Sequence, residues 1–286
     1  MEVVTWPNSS RPGVGIQPRR ESSRPLLPQH ARHCPVLEAG SGLGYLVYPP
    51  LEPSESFMVE YQGEGRFKFM FFIAEQPGKW APLFQVIVSM PVGAIGFIKE
   101  EATLLVPNPP IDEEGAKRIM RTFIVPEDLH TPSGAVTLRG STNFRTPFGW
   151  DSVYVPVLNQ IDRPQAPMLV IRVETDWYPH ESEFRYVLQP GQVFPGGHNM
   201  PIGQVFFIPR DDAQLREATE DEIETMKRER AEFGKRKSET KLTTRYGMQY
   251  SPQYLRQSRA FKTAAAKGQV EDRGEGDGEV EEKDAD

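Results

Sequence analysis

The chain has 286 residues, a formal net charge of −7, one cysteine, 27 prolines and 24 glycines. The prolines and glycines divide it into short elements joined by turns, which excludes a fold built from long helices. A single cysteine cannot form an internal disulfide, Met1–Arg20 lacks the apolar core of a signal peptide, and no apolar stretch is long enough to cross a bilayer. We therefore expect a soluble, cytoplasmic protein that does not contact a membrane.

Composition separates the two ends of the chain from its middle. The N-terminal segment is rich in Pro, Ser and Arg and has no hydrophobic periodicity, which is typical of disorder. The C-terminal end carries nine acids and two basic residues between 271 and 286. The predicted organisation is a disordered leader over 1–33, a β domain over 34–210, an amphipathic helix packed on it over 211–237, a basic, tyrosine-containing tail over 238–267 and an acidic disordered tail over 268–286.

Alternation of apolar and polar residues predicts the strands of the β domain. Every second residue is apolar in Phe57–Tyr61 and in Arg66–Ile73, and Gln62–Gly65 between them has the sequence of a hairpin turn. Other predicted strands are Tyr45–Tyr48, Leu83–Ser89, Ile95–Ile98, Thr103–Val106, Ala135–Arg139 and Ser152–Val155. The sequence thus predicts a mostly β fold, a single sandwich or distorted barrel of about ten strands.

The stretch Val173–Arg210 carries the clearest strand signals. Leu169–Trp177 alternates in polarity and places Glu174 and Asp176 on one polar face. Phe184–Leu188 predicts a second strand. A third is predicted at Gly203–Ile208, which is apolar on both faces and therefore expected inside the sandwich.

Two segments carry helix signals. Asp112–Arg121 has acids at its start and basic residues at its end, as the helix dipole favours, but a glycine makes this helix marginal. Thr219–Glu222 is a capping box followed by a narrow apolar stripe of Ile223, Met226 and Phe233. This second pattern predicts one C-terminal amphipathic helix.

Several carboxylates and histidines are candidate ligands for a divalent metal or members of an acid–base pair. The candidates are Glu174, Asp176, His180 and His198. A solvent-exposed polar strand face has the same pattern, so both interpretations stay open. Three further potential ligands precede the first strand: His30, His33 and Cys34. No paired-histidine, HExxH or GxSxG motif accompanies these groups, and a metal-dependent enzyme on a cupin-like or β-clip-like barrel is the alternative hypothesis.

Two polar loops are candidate ligand surfaces, because loops on a rigid β scaffold commonly carry recognition. Loop Gly140–Trp150 supplies Asn143, Arg145 and Trp150, and loop Pro195–Met200 supplies His198 and Asn199. Turn-forming and capping roles are the alternatives for these residues. The leading hypothesis is a non-catalytic β module that binds an unknown small molecule or protein.

The basic segment Lys235–Lys267 supports a third hypothesis. It contains nine Lys or Arg and only Glu239 as an acid, with Tyr246, Tyr250 and Tyr254 among them. Cations for phosphates and rings for stacking are what a binder of single-stranded nucleic acid needs. Pairing of this segment with the acidic tail is the alternative.

Three short runs carry a family resemblance: Phe144–Pro147 (FRTP), Val173–Trp177 (VETDW) and Pro201–Pro209 (PIGQVFFIP). On these runs the chain resembles a bacterial family catalogued only as a domain of unknown function, over roughly Cys34–Arg236. The resemblance implies a bacterial protein and brings no chemistry with it. The ending of this region is also similar to the closing strands of the β-clip deoxynucleotide triphosphatase and deaminase group, a likeness of fold that implies no activity.

Overall fold

The computed structural model describes residues 2–20, 34–76, 78–93, 96–107, 109–125, 132–160, 165–211, 215–243 and 249–267. The chain divides into two compact units, Met1–Asp212 and Ala213–Asp286. Some sequence predictions fall outside the described residues, namely the potential ligands His30 and His33, the ring of Tyr246 and the acidic tail.

The first unit is mostly β, as the sequence predicts. Its described strands are β1 (Val4–Pro7), β2 (Tyr45–Val47), β3 (Glu55–Gly63), β4 (Arg66–Gln76), β5 (Lys79–Ser89), β6 (Lys99–Leu104), β7 (Ile124–Val125), β8 (Ala135–Arg139), β9 (Thr142–Arg145), β10 (Trp150–Val155), β11 (Met168–Leu169), β12 (Ile171–Val173), β13 (Glu183–Val187), β14 (Val193–Gly197) and β15 (Gly203–Pro209). Its described helices are α1 (Pro35–Ser41) and α2 (Glu113–Phe123).

These strands form several antiparallel sheets. The largest has the order β14-β3-β4-β5-β6, two four-stranded sheets have the orders β12-β10-β15-β2 and β11-β13-β8-β7, and β1 pairs with β9 alone. No sheet among the described strands closes on itself. The strands outnumber the expected ten because pairings as short as β7 and β11 show no periodicity in sequence. A sandwich arrangement of the sheets stays a prediction.

The predicted hairpin at Gln62–Gly65 is confirmed. Strands β3 and β4 pair in antiparallel register around it, with Phe57 opposite Phe71 and Val59 opposite Phe69. Gly63, Glu64 and Gly65 have φ values of 90°, 52° and 73°, a region that the two glycines enter without steric cost. The turn sequence therefore fixes the register that puts Phe57 of β3 and Phe67, Phe69 and Phe71 of β4 on the core face.

Helix α2 covers one face of the five-stranded sheet through an aromatic cluster. Phe123 lies 5.1 Å from Phe57, 5.9 Å from Phe69 and 5.9 Å from Phe71 between ring centroids, and all four rings are buried. The helix begins where Asp112 accepts a hydrogen bond from the Gly115 N–H at 2.7 Å. The helix predicted at Asp112–Arg121 is confirmed, and it extends to Phe123 because that ring enters the core.

The prediction of a disordered leader is wrong for Val4–Pro7, which form β1. The next residue, Asn8, is fully buried and ties this segment to the domain: its Nδ2 donates to the Gly140 oxygen at 2.9 Å and its Oδ1 accepts from the Ser10 and Arg11 amides. These hydrogen bonds and the strand pairing offset the conformational entropy that is lost when the segment becomes ordered. Composition alone had indicated that this loss would keep the segment disordered.

Two further assignments need correction. Cys34–Pro35, expected to lead into a strand, starts α1 instead, since proline suits the first turn of a helix. The Pro195–Gly197 corner is part of β14, paired with β3. Gly196 is required there because a Cβ at this position would lie 2.3 Å from the Phe57 ring.

The second unit contains α3 (Glu220–Glu239), β16 (Leu242–Thr243), β17 (Gln249–Tyr250) and α4 (Gln253–Ala266). The capping box is confirmed, with hydrogen bonds between Thr219 and Glu222 in both directions. The basic tail predicted over 238–267 contains helix α4, because its arginine, glutamine and alanine residues are strong helix formers. No residue of α3 is buried, and its packing on the β domain stays a prediction. None of the described helices has both the length and the apolar character that crossing a membrane requires.

Candidate functional site

The turn Glu174–Tyr178 stands where the sequence predicted a strand. Strand β12 ends at Val173; the Thr175 N–H donates to the Val173 oxygen at 2.9 Å and the Tyr178 N–H donates to the Glu174 oxygen at 3.0 Å. Glu174 and Asp176 therefore do not share a strand face. The polar residues that alternate with apolar ones in this run belong to a turn, and their carboxylates contact one cation.

That cation is Arg210. Its Nη2 lies 2.6 Å from Asp176, 2.9 Å from Asp151 and 3.7 Å from Glu174. The hydrogen bond from Arg210 is the largest cause that lowers the pKa of Asp176, and the Gly149 N–H adds a second bond at 3.0 Å. These carboxylates are thus held as ion-pair partners that fix the turn against the end of β15.

The candidate histidines lie elsewhere. His180 sits between the rings of Tyr154 and Tyr178, at 5.6 and 5.9 Å between centroids, and burial lowers its pKa to about 4. His198 places its Nδ1 2.6 Å from the Leu51 oxygen. Within the described ranges no three His, Cys, Asp or Glu side chains come together in an arrangement that could hold a metal ion. The four predicted ligands are distributed over three places.

The turn instead presents aromatic rings to a groove of about 460 Å³, which we call the aromatic groove. Strand pairing places Val4 opposite Arg145, and Trp6 follows two residues along on the same face. Trp177 and Tyr178 of the turn form the other wall and are 67% and 48% exposed. The complete lining consists of Val4, Trp6, Arg145, Thr175, Trp177, Tyr178 and Pro179.

Hydrogen bonds hold the turn side of this groove in place. The Thr175 hydroxyl is buried and lies 2.7 Å from the Ser152 hydroxyl and 3.0 Å from that of Thr146. The Trp177 indole N–H donates to Glu174 at 2.5 Å. A ring fixed in this way loses little rotamer entropy when a ligand packs on it.

Arg145 is the charged group of the aromatic groove. It is exposed, and it makes no ion pair with any residue that the structure describes. Arg210, by contrast, is satisfied by three carboxylates. The guanidinium of Arg145 is therefore free to form a bidentate contact with an anion at the edge of the rings.

A second, polar cleft of about 550 Å³ lies on the other side of Tyr178 and Pro179. It is lined by two arginines, two glutamates and His180, so that its formal charges cancel. Arg139 and Glu181 pair within it at 3.0 Å. The polar cleft thus offers a charged ligand less net attraction than the aromatic groove does.

Of the residues proposed as ligand contacts from the sequence, Arg145 lines the aromatic groove. Asn143 is buried and binds backbone groups, and Trp150 pairs with Pro209 inside a sheet. His198 and Asn199 follow β14, away from the groove lining. Sequence reasoning missed Trp6, Trp177 and Tyr178. The β-favouring run Val3–Trp6 is a signal that could have identified the first of them.

No family model, curated protein or solved structure matches this chain. The resemblance to the bacterial family of unknown function stays a prediction. The geometry of the site therefore carries the functional argument.

Proposed function

We propose that the first unit is a non-catalytic ligand-binding β module, and that its aromatic groove holds a small aromatic carboxylate. The observation that carries this proposal is the convergence on one groove of Trp6, Trp177, Tyr178 and Arg145, an arginine that pairs with no described carboxylate. These residues come from three distant parts of the chain, and a core-packing role does not explain aromatic side chains that are this exposed.

The ligand class follows from the two kinds of group present. Indole and phenol rings favour a flat apolar body, which they contact by offset stacking or edge-to-face packing. The guanidinium of Arg145 matches the planar geometry of a carboxylate. A volume of about 460 Å³ lies within the roughly 300–1,000 Å³ of clefts that enclose small molecules.

Two observations favour binding over catalysis at this groove. The hydroxyl of Thr175, which lines it, is engaged by the Ser152 and Thr146 hydroxyls, and neither of these partners is a base. The candidates for a metal-dependent enzyme lie at three separate places. The lone Cys34 supports a reducing, cytoplasmic setting for this module.

Isothermal titration calorimetry with a series of aromatic carboxylates tests the proposal. We expect Arg145→Gln to weaken binding at least about tenfold, because a hydrogen bond to a charged group is worth about 1.5–3 kcal/mol. Trp177→Ala removes one wall and should weaken binding about fivefold or more.

Matched controls separate the groove from the general surface. Trp80→Ala removes another exposed tryptophan, in the β5 strand, and Arg118→Gln removes an exposed arginine of α2; both should bind as the wild type does. Equal affinity for aromatic and aliphatic carboxylates, or equal losses in the groove and control variants, would contradict the proposal.

A further inference from the structure

The second unit contains a groove where the chain folds back after α3. Strands β16 and β17 pair with Leu242 opposite Tyr250, and the Thr240 and Ser251 hydroxyls lie 3.0 Å apart. These contacts bring the last turn of α3 next to the segment that precedes α4. The groove between them has a volume of about 400 Å³, and its lining includes Lys237, Ser238, Lys241, Gln249, Tyr250 and Ser251. We call it the lysine–tyrosine groove.

Positive charge dominates this part of the chain. The sequence has no Asp or Glu between Thr240 and Lys267. Arg236 is paired with Glu232 at 3.2 Å, but the other basic side chains that the structure describes from Lys235 to Lys267 form no ion pair with a described residue. They are Lys235, Lys237, Lys241, Arg256, Arg259, Lys262 and Lys267. Their charges add to a positive potential that attracts polyanions.

Three of these cations lie along α4, which begins two residues after the groove residue Ser251. Arg256, Arg259 and Lys262 are spaced three residues apart, which puts them on one side of the helix. The helix has no acid within its bounds to neutralise them. A chain of negative charges that starts in the groove could therefore continue along this side.

We propose that the second unit binds single-stranded nucleic acid, with a base stacked on Tyr250 inside the lysine–tyrosine groove and phosphates on Lys237, Lys241 and the basic side of α4. Single-stranded nucleic acids alternate planar rings with single negative charges. Sites that bind them without sequence preference combine a positive groove with aromatic platforms.

The position of Tyr250 distinguishes this ligand from other polyanions. An acidic peptide would need only the cations, and a membrane surface would use the exposed apolar side chains of α4, Leu255 and Phe261, rather than the groove. Tyr250 lines the groove together with Lys237 and Lys241 and is 47% exposed, so part of its ring is accessible to a base. That arrangement suits a nucleotide.

The test is fluorescence anisotropy of a fluorescein-labelled oligothymidylate titrated with the full-length protein at several salt concentrations. Each phosphate contact on a single strand contributes a slope of about −0.7 to the logarithm of affinity against the logarithm of salt, so five contacts predict about −3.5. Lys237→Gln combined with Lys241→Gln should reduce the magnitude of the slope by about 1.4. The control pair Lys79→Gln and Lys99→Gln removes the same charge from exposed sites in the first unit and should leave the slope unchanged.

A pair of substitutions at Tyr250 tests the stacking. Tyr250→Ala should weaken binding about fivefold or more, since a stacked base is worth about 1–3 kcal/mol. Tyr250→Phe keeps the ring and should bind as the wild type does. A loss in Tyr250→Phe equal to that in Tyr250→Ala would overturn the proposal. So would equal effects of the two lysine pairs, or full competition by phosphatidylserine vesicles or polyglutamate at the same charge concentration.

Discussion

Asn143 lies fully buried and joins β1 to the residue before β13. Its Nδ2 donates to the Pro7 oxygen at 3.2 Å, and its Oδ1 accepts from the Ser182 N–H at 2.8 Å. Asn143→Ala leaves the buried Ser182 N–H and the partly buried Pro7 oxygen without these bonds, and we expect it to lower the free energy of unfolding by about 2–4 kcal/mol. Urea denaturation measures this change.

Asn199 provides the matched control, because it is an exposed asparagine in the turn after β14. Asn199→Ala should alter the free energy of unfolding by less than about 0.5 kcal/mol. Equal effects of the two substitutions would contradict the structural role of Asn143. The sequence offered both residues as ligand contacts, since an asparagine between turn residues has the same local pattern whether it is buried or exposed.

We expect His180 to make the free energy of unfolding depend on pH. Burial and then the positive charge of Arg185 lower its pKa from 6.5 to about 4, while Glu181 acts in the opposite direction. Between about pH 6.5 and 4 the unfolded chain binds a proton that the folded protein does not. The contribution of the neutral imidazole is therefore complete above this window and is lost as the pH falls through it, by up to about 3 kcal/mol.

His180→Phe tests this dependence, because it keeps a ring between Tyr154 and Tyr178 but cannot be protonated. The free energy of unfolding of the variant, measured by urea denaturation from pH 7 to pH 4, should fall less steeply than that of the wild type. Parallel curves would show that His180 does not titrate on unfolding.

At the scale of elements, the packing of the Phe123 ring stabilises α2 more than the helix propensity of its residues does. Phe123→Ala opens a cavity among Phe57, Phe69 and Phe71, and we expect a loss of about 3–5 kcal/mol in the free energy of unfolding. Phe148→Ala removes a ring that is 93% exposed and should cost less than about 0.5 kcal/mol. Similar losses in the two variants, measured by thermal or urea unfolding, would show that Phe123 does not anchor the helix.

The elements that could be predicted are those with strong local signals. The β3–β4 hairpin has alternation on both sides of a glycine turn, and α3 has a complete capping box. The elements missed depend on partners distant in sequence: β1 is defined by its pairing with β9, and the turn Glu174–Tyr178 is stabilised by Arg210. Period-two alternation cannot distinguish that turn from a strand when its carboxylates pair with a partly exposed arginine that is distant in sequence.

At the scale of the whole molecule, the two units differ in how they are built. The first contains the large hydrophobic core, including the phenylalanine cluster under α2. In the second unit, the described helices α3 and α4 bury a single residue, Gln253. The first unit is organised around packing and the second around charge, which is why we assign small-molecule binding to one and polyanion binding to the other.

The residues of the aromatic groove could be predicted from the sequence only in part. Arg145 could be proposed because it lies in a polar run, but Trp6 and Trp177 are more than one hundred residues apart and meet only through the β1–β9 pairing and the turn. One sequence does not reveal such pairings.

The most direct measurement is two-dimensional NMR of the tryptophan indole N–H signals during titration with an aromatic carboxylate. The chain has four tryptophans, and single substitutions assign their signals. We predict that the signals of Trp6 and Trp177 shift together with one dissociation constant, while that of Trp80, which lies outside the groove, stays in place. A bound ligand that shifts Trp80 and leaves Trp6 and Trp177 unchanged would contradict the assignment of the aromatic groove as the binding site.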